Sequence, residues 1–530
     1  KDRVRGDLMA AEIIAHLFEE MCEELDGAEE YAKLALMWKP TNAEFAKNFH
    51  MMANEELKHA AMMRDMANKE MNRRDFLKIS GTAATGSALA SCGVKQESAE
   101  NLDPAGQHTT ELPKGKMTYR THPHNGDKVS ILGYGWMRLP RMKNPDNPNE
   151  EIINQEEVNR LCNKAFEYGV NYFDTSPAYC QGKSEESLGI ALEQSGRSRD
   201  SYYIATKLSN FSPTQWSLEA GQQMFENSLK YLKTDYIDYL LLHSIGGGGL
   251  DNLRKRYLDN GLLAWLMEQR AAGRIRNLGF SFHGDVKVYD YMLEHHDEYK
   301  WDFVQIQLNY IDWHDNDKGR DGEYLYNELV KRNIPAVIME PLLGGRLAKL
   351  PDHIVGRLKQ HSPERSVASW AFRFAGSQPN VFTVLSGMTY MEHLQDNIRS
   401  FSPLVPLDEA ETQFLFDTAK LIEQYPTIPC NDCKYCMPCP YGIDIPSILL
   451  HYNKCVNEGN VPKSRQDEEY QKARRAFLVG YDRSVEKLRQ ANHCIGCGQC
   501  NHHCPQRIDI PKEIRRIDEY IEKLKQGLEF

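Results

Sequence analysis

Short β-rich runs alternate with helical stretches through the middle of the chain, from about residue 117 to residue 400. Eight such runs are present, at residues 129–135, 171–176, 202–207, 237–243, 275–281, 303–309, 336–341 and 381–387. Alternation of strand and helix over this length predicts a parallel sheet. Eight units that close on themselves form a (β/α)8 barrel, in which the chemistry lies at the carboxyl ends of the strands.

The first 70 residues follow a helical period instead, and the pattern predicts a helical hairpin. On its second helix Glu56 and His59 share one face. With Glu20, Glu23 and Glu24 opposite them, the hairpin resembles half of a ferritin-like bundle, in which such groups hold iron. A plain amphipathic hairpin with a solvated acidic face is the alternative, and it is the commoner arrangement.

Residues 71–92 contain Arg73 and Arg74, followed by a weakly apolar stretch that ends at Cys92. This segment resembles a twin-arginine export signal with a terminal lipobox. The resemblance implies an exported, periplasmic envelope lipoprotein that is anchored through Cys92. A basic helix start with a chance cysteine is the alternative, and the protein would then be cytoplasmic.

The position of this signal divides the chain, because an export signal acts at an N-terminus. We therefore expect Met71 to be the natural start and residues 1–70 to be a fused or foreign segment. Residues 93–116 are expected to form a polar linker.

Composition narrows the class of protein. With 41% hydrophobic and 26% charged residues among 530, the chain reads as globular and is too long for one core. No apolar run approaches the ~20 residues of a membrane-spanning helix, so the lipid anchor is the only membrane attachment expected. The formal net charge of −11 argues against nucleic-acid binding.

Four polar side chains stand at or just after predicted strand ends: Asp174, Tyr179, Lys207 and His243. Hydride delivery to a carbonyl needs a proton donor, and a tyrosine with a pKa of about 10 is a poor one unless a cation lowers its pKa. We expect Lys207 to do this while Asp174 orients Lys207. His243 can donate a hydrogen bond to the substrate oxygen.

In order and context these four residues resemble the aldo-keto reductase family, and the resemblance extends over about residues 117–400. Singly, an aspartate that ends a strand is often a loop cap, and a histidine there is often only hydrogen-bonded. All four together, with the Gly-containing segment 132–135, favour the family. The resemblance implies NAD(P)-dependent reduction of a small carbonyl compound, or oxidation of an alcohol.

The family binds NAD(P) in extended form, which implies roles for several residues. Ser281 and Gln305 would hold the nicotinamide amide. A segment after the seventh strand would wrap the pyrophosphate, and residues after the eighth would meet the adenosine end. The first set is Pro341, Leu342, Gly344 and Arg346, and the second is Gly387, Asp396 and Asn397.

Three departures from the family pattern bear on the cofactor. Met339 stands where many members stack an aromatic ring on the nicotinamide, and Trp136 replaces a common small residue. Met388 and His393 occupy positions where NADPH-preferring members carry hydroxyl or basic groups. The choice between NAD and NADP therefore stays open.

Eight of the 13 cysteines form two tight runs near the C-terminus, each ending in Cys-Pro. The spacing resembles bacterial two-cluster ferredoxins and implies two 4Fe-4S clusters. Zinc is the alternative, which the triple Cys-x-x-Cys spacing and the Cys-Pro ending disfavour. The first run is Cys430, Cys433, Cys436 and Cys439, and the second is Cys494, Cys497, Cys500 and Cys504.

In such ferredoxins the fourth cysteine of each run binds the cluster of the other run. The resemblance therefore implies one cluster held by the first three cysteines of the first run with Cys504, and another held by the first three of the second run with Cys439. The insert between the runs has a helical pattern, so we expect an α-helical ferredoxin-like domain.

The predicted fold class is α/β, with a (β/α)8 TIM barrel over residues 117–405 and an α-helical dicluster domain over 406–530 behind the N-terminal hairpin. Two functions stay open. The leading hypothesis is an NAD(P)-dependent oxidoreductase whose clusters exchange electrons with a partner. The alternative is an electron-transfer or scaffold protein with an inactive barrel.

Overall fold

A computed structural model describes residues 112–528, and its centre is a closed barrel of eight parallel strands. Neighbouring strands follow chain order, and the eighth closes on the first where Val384 lies opposite Leu132. The predicted barrel is thus confirmed. The strands are β1 (Leu132–Gly135), β2 (Tyr172–Asp174), β3 (Tyr203–Leu208), β4 (Ile237–Ile245), β5 (Ile275–Phe282), β6 (Phe303–Gln307), β7 (Ala336–Met339) and β8 (Val381–Ser386).

The predicted first run, residues 129–135, is divided between two elements. Its start belongs to an antiparallel hairpin of Tyr119–Thr121 and Lys128–Ser130, and only its end is β1. Val129 packs with Tyr172 and Phe303 in the barrel interior. The hairpin therefore closes the amino-terminal end of the barrel, and its buried valine continued the apolar pattern of β1.

Helices cover the outside of the barrel, and several of them have one apolar face that packs against it. In Gln155–Glu167 the side chain of Asn154 accepts a hydrogen bond from the Glu157 N–H, and Val158, Leu161 and Ala165 are buried. An exposed hairpin, Arg141–Asn144 with Asn147–Ile153, precedes this helix. The other barrel helices are Ser184–Gln194, Leu218–Leu232, Gly249–Leu253, Leu262–Ala271, Val286–Glu294, His296–Tyr299, Gly322–Lys331, Asp352–His361, Val367–Ser377 and Met391–Phe401.

The helix Glu409–Glu423 also packs on the barrel, although it follows the predicted domain boundary at residue 405. Its Leu415 is part of the barrel core. The buried guanidinium of Arg373 binds the Glu411 carboxylate, with an Nη2–Oε2 distance of 2.6 Å. In structural terms the barrel unit therefore extends through this helix.

The C-terminal region is built on three helices, Ile445–Asn457, Tyr470–Ser484 and Ile510–Gln526. Their buried side chains form a separate apolar core that includes Phe477, Ile514 and Ile517. The first and third helices each begin with an Ile-Pro pair after an aspartate, Asp444 and Asp509. The α-helical character expected for this domain is therefore present.

Within residues 112–528, no helix is both long enough and apolar enough to span a membrane. The predicted hairpin of residues 1–70, the signal segment 71–92 and most of the linker 93–116 lie outside the described residues.

Candidate active site and cluster-binding region

Asp174 and Lys207 form a buried ion pair at the carboxyl-terminal mouth of the barrel. Asp174 ends β2 and Lys207 lies near the end of the adjacent β3. The Lys207 ammonium donates to Asp174 Oδ1 at 2.6 Å and to the Thr175 carbonyl at 2.8 Å. Burial lowers the pKa of Lys207 and raises that of Asp174, and each charge opposes this effect on its partner. Each charge therefore depends on the other.

Tyr179 follows β2 in a short 3-10 turn and lies beside this pair. The Lys207 ammonium is 4.9 Å from the centre of the Tyr179 ring. Burial is the largest cause that raises the pKa of Tyr179 well above its usual value, and the nearby Tyr435 and Asp174 raise it further. This direction is opposite to the sequence-based expectation, because the ammonium faces the ring and is bonded to Asp174. Tyr179 therefore keeps its proton in this arrangement.

His243 lies on β4 and is neutral. Burial, with the positive charges of Lys207 and Arg256, lowers its pKa well below its usual value. Its Nδ1 is 2.5 Å from Ser209 Oγ and 3.2 Å from Ser176 Oγ. A hydroxyl that donates to Nδ1 leaves the ring proton on Nε2, where it can serve as a hydrogen-bond donor.

Two further groups support this region, and sequence analysis assigned a role to neither. Arg256 Nη2 donates to the His243 carbonyl at 2.7 Å from the segment Arg254–Leu258. Glu185 is only 2% exposed and accepts from Thr206 Oγ1 at 2.5 Å. Burial raises the pKa of Glu185 to about 7. The only feature of the sequence that could have linked Glu185 to the site is its position six residues after Tyr179.

The two residues predicted to hold the nicotinamide amide are both buried and lie opposite each other on neighbouring strands, Ser281 near the end of β5 and Gln305 in the middle of β6. Ser281 Oγ accepts from the Ser244 N–H at 2.8 Å. Gln305 Nε2 donates to Met339 Sδ at 3.4 Å, and its Oε1 is buried with no hydrogen-bond partner among the described residues. A buried acceptor without a partner fits a carboxamide N–H of a nicotinamide.

The segment after β7, predicted to wrap the pyrophosphate, contacts the cluster domain. Pro341 and Leu342 lead into Gly344, where a Cβ atom would lie 2.3 Å from the Asn431 carbonyl oxygen. Arg346 Nη2 donates to Thr427 Oγ1 at 3.0 Å. Gly344 and Arg346 thus form part of the interface between the two regions, which sequence analysis did not anticipate.

The residues predicted for the adenosine end lie after β8. A Cβ atom on Gly387 would approach the side chain of Arg138 at 3.4 Å. Asp396 accepts from Ser366 Oγ at 2.7 Å, and Asn397 Nδ2 donates to Ser386 Oγ at 2.9 Å. These bonds hold both side chains in the middle of the Met391–Phe401 helix.

The eight cysteines line two neighbouring cavities. The walls of the first include Cys430, Cys433, Cys436 and Cys504. Those of the second include Cys439, Cys494, Cys497 and Cys500, together with Cys436. Each cavity thus combines thiols from both runs in the sets that crossed ligation requires. The crossing itself stays a prediction.

Each cavity presents at least four thiols, the number of ligands that a 4Fe-4S cluster takes. Across residues 112–528, no three Cys, His, Asp or Glu side chains converge as one metal ion would require. In a 4Fe-4S cluster the four thiolates bind different irons and stand apart. Asp432 and Lys434 have φ of 54° and 64° in the first run, which alternates the backbone as in anion-binding nests.

A hydrogen-bonded network joins the first cysteine run to the barrel. Glu340, just after β7, accepts from Asn431 Nδ2 and, at 3.1 Å, from Gln506 Nε2. Gln506 also donates to Gln307 Oε1 at 3.1 Å. Arg138 donates to the Asn431 carbonyl. Burial raises the pKa of Glu340 to about 7. Asn431 and Gln506 flank cysteines of the first cavity, so this cavity lies against the barrel mouth.

Tyr435, between Cys433 and Cys436, reaches from this loop to His243 and Tyr179. Its hydroxyl lies 3.4 Å from His243 Nε2, and, besides burial, its closeness to Tyr179 raises the pKa of that residue. Its ring packs near Phe211, with centroids 5.8 Å apart. No sequence motif pointed to this contact.

Comparison with known proteins agrees with this architecture. The model of the 4Fe-4S dicluster domain matches residues 429–508. The L-galactose dehydrogenase of Arabidopsis thaliana is 24% identical over 311 residues, which is 55% of this chain and 90% of that protein. The oxidoreductase YqkF of Bacillus subtilis is 25% identical over 300 residues, covering 51% of this chain and 87% of that protein.

Among solved structures, an aldo-keto reductase from Bacillus halodurans is 22% identical, with a TM-score of 0.46 over 57% of this chain and 96% of that one. The thermostable aldo-keto reductase Tm1743 is 24% identical, with a TM-score of 0.45 over 57% of this chain and all of that one. The aldo/keto reductase family model matches residues 132–415, more than half of the 530. The chain therefore belongs to the aldo/keto reductase family and carries a 4Fe-4S dicluster domain.

Proposed function

We propose that this chain reduces a small carbonyl compound with NAD(P)H, or oxidises the corresponding alcohol, and exchanges electrons through two 4Fe-4S clusters. The convergence of Asp174, Tyr179, Lys207 and His243 at one mouth, with the Lys207 ammonium 2.6 Å from Asp174, carries the proposal. Carbonyl reduction needs a proton donor and hydrogen-bond donors that stabilise the developing alkoxide.

Each of these four residues then has one role in the reaction. Tyr179, which keeps its proton, transfers it to the alkoxide oxygen as that oxygen becomes basic. His243, neutral with its proton on Nε2, donates a hydrogen bond to the same oxygen. Lys207 supplies a fixed positive charge beside Tyr179, and Asp174 holds it in place.

A bound nicotinamide would supply the hydride. Gln305 would accept from its carboxamide, since Gln305 Oε1 is buried and lacks a partner among the described residues. Ser281 lies on the adjacent strand. Ser281 and Gln305 would thereby orient the ring toward the mouth that Tyr179 and His243 share.

The test is an assay of anaerobically purified protein with NADH and NADPH against small aldehydes and aldoses. L-Galactose belongs in the panel because one relative is named an L-galactose dehydrogenase. We expect turnover that falls by about 10²- to 10⁴-fold in Tyr179→Phe, as for loss of a general acid. Tyr231→Phe, an exposed tyrosine on a barrel helix, is the matched control. Equal rates in Tyr179→Phe and wild type would refute the mechanism.

One observation favours a second candidate, an electron-transfer protein with an inactive barrel. The Tyr435 hydroxyl already contacts His243 and Tyr179, the groups that would receive a substrate oxygen. The same panel separates the two candidates. Absence of turnover with every substrate, while the clusters still accept electrons, would favour electron transfer alone.

We further propose that the clusters take electrons from the nicotinamide or return them to it, with an electron-transfer partner at the other end. A hydride is two electrons with one proton, and each cluster takes one electron at a time, so oxidation of one NAD(P)H would reduce both clusters by one electron each and release one proton to solvent. Anaerobic addition of NAD(P)H should bleach the visible absorbance of the oxidised clusters. Unchanged absorbance would show that the clusters accept no electrons from NAD(P)H.

The segment with Arg73 and Arg74 supports a proposal about location, namely export in the folded state and a lipid anchor on Cys92. An exported reductase would have to keep its cofactor, because free nicotinamide nucleotides are not expected outside the cytoplasm. Envelope protein should therefore retain NAD(P) through desalting. A cytosolic location unaffected by Arg73→Lys with Arg74→Lys would show that the segment is inert and the protein cytoplasmic.

A further inference from the structure

Tyr435 is the one side chain of the first cysteine run that contacts the barrel's catalytic groups within the described structure. Its backbone position is fixed by the barrel. Arg138 binds the Asn431 carbonyl and, at 3.3 Å, the Asp432 carboxylate. Asn431 in turn donates to Glu340. Asn431 and Asp432, which precede Tyr435 in the loop, are thus bound to the barrel. Their bonds place the Tyr435 ring at the barrel mouth.

The Tyr435 hydroxyl lies beside the same two donors that a carbonyl oxygen needs. It is 3.4 Å from His243 Nε2, and, besides burial, its closeness to the Tyr179 hydroxyl raises the pKa of Tyr179. Each donor has one proton available there. A substrate oxygen placed between Tyr179 and His243 would therefore collide with the Tyr435 oxygen. The two oxygens would compete for the same two protons.

We propose that Tyr435 is a specificity-determining residue of the barrel site, and that its hydroxyl occupies the position of the substrate's carbonyl oxygen. This inference rests on the proposed carbonyl chemistry. A substrate must displace the Tyr435 ring, so the cluster domain selects carbonyl compounds whose own contacts offset that displacement. Weakly binding simple aldehydes are the class that it excludes.

Displacement of the ring would leave the bonds that anchor the loop in place. The described side-chain contacts of Tyr435 are with Tyr179, His243 and Phe211, all of them on the barrel. The bonds that anchor the loop belong to Asn431 and Asp432. Rotation of one side chain would therefore open the mouth while the neighbouring cysteines keep their places.

The test compares Tyr435→Phe and Tyr435→Ala with wild type, each as full-length protein with both clusters. The first variant removes the competing hydroxyl and keeps the ring, and the second also removes the ring. Tyr231→Phe is the matched control. Binding of 4-nitrobenzaldehyde is measured by titration calorimetry with NAD⁺ and NADP⁺ present, where no reduction occurs. Iron analysis verifies cluster content, and turnover with NAD(P)H is measured separately.

We expect the dissociation constant to fall by about 2- to 10-fold in Tyr435→Phe, which is the net contribution of one neutral hydrogen bond. In Tyr435→Ala it should fall further. In turnover, KM should fall with kcat unchanged. If Tyr435→Ala loses iron, the dissociation constant of Tyr435→Phe alone tests the inference. Equal or weaker aldehyde binding in Tyr435→Phe, with full iron, would overturn the inference.

The proposed function can fail separately. Tighter aldehyde binding in Tyr435→Phe without turnover in any variant would support the place of the Tyr435 hydroxyl and refute carbonyl reduction.

Discussion

The barrel and the cluster domain hold their functional groups in different ways. In the barrel, Lys207 binds Asp174, and His243 is bonded to Ser209, so the site is assembled by protein contacts alone. In the cluster domain the thiols line cavities, and burial raises the pKa of Cys430 to about 11. Such a thiol ionises when it binds iron. The comparison indicates that the barrel site is preorganised, whereas the cluster site depends on its metal.

Loss of a cluster ligand should have the largest effect and should be confined to one region. We expect Cys504→Ser to lose one of the two clusters, about four of about eight irons, and to destabilise the C-terminal helices. The barrel should keep its fold. Iron and sulfide analysis with circular dichroism measures both effects.

Cys455→Ser is the control, because this buried cysteine lies in the same domain but outside both cavities. Spectroscopy decides which cluster is lost. If the lost cluster is the one held by Cys494, Cys497 and Cys500, the crossed ligation is wrong.

Within the barrel, Lys207→Met and Tyr179→Phe should reduce activity alike but differ in stability. Lys207→Met leaves the buried Asp174 carboxylate unpaired, which typically costs about 3–5 kcal/mol. Tyr179→Phe leaves the ion pair intact. Both should lower carbonyl reduction by about 10²- to 10⁴-fold. Steady-state kinetics and denaturant unfolding measure the two effects, with the exposed Lys183→Met as control. Equal stability of the two variants would contradict the preorganised pair.

The contact between the two regions should be weaker than either site. Glu340→Ala leaves the amides of Asn431 and Gln506 without this acceptor, at a cost of about 1–3 kcal/mol. We expect faster amide hydrogen exchange over residues 430–436 with unchanged exchange in the barrel core. Glu298→Ala, an exposed helix position, is the control. Exchange that stays at the wild-type rate would show that the network does not hold the loop.

The smallest effect concerns pH. Burial raises the pKa of Glu185 to about 7 in the folded protein, above its ordinary value. The native state therefore keeps a proton that the unfolded chain releases, so stability falls as pH rises through this range and levels off above about 7. Glu185 contributes at most about 1.4 kcal/mol per pH unit to this slope.

Glu185→Gln should reduce this slope to the part that remains from Glu340, whose pKa is also raised to about 7, whereas Glu186→Gln, at the exposed neighbouring position, should keep the full slope. The free energy of unfolding, measured by denaturant titration between about pH 5 and pH 8, tests the difference. An identical slope in both variants would assign the titration to another group.

Sequence alone determined the features that depend on local spacing. The eight apolar runs predicted eight strands because a buried parallel strand needs a continuous apolar segment. The ends of those strands meet at one mouth, so Asp174, Lys207 and His243 could be grouped without coordinates. Cysteine spacing likewise predicted the dicluster domain, which the matching family model confirms. The sequence did not reveal that residues 129–135 belong to two elements, the terminal hairpin and β1. Val129 is buried in the hairpin, and a buried valine looks the same in the sequence whether it lies in a hairpin or in a barrel strand.

Only the tertiary structure decided what joins the two regions. Tyr435 meets His243 across 192 positions of sequence, and Gln506 meets Glu340 across 166. Neither pair has a local spacing signal, because hydrogen bonds between distant loops depend on how two separately packed cores come together. The same holds for Tyr179, whose pKa is raised because its surroundings exclude water and bring Tyr435 to its hydroxyl. Residue type and order singled out Asp174, Tyr179, Lys207 and His243, and packing set their protonation and their neighbours.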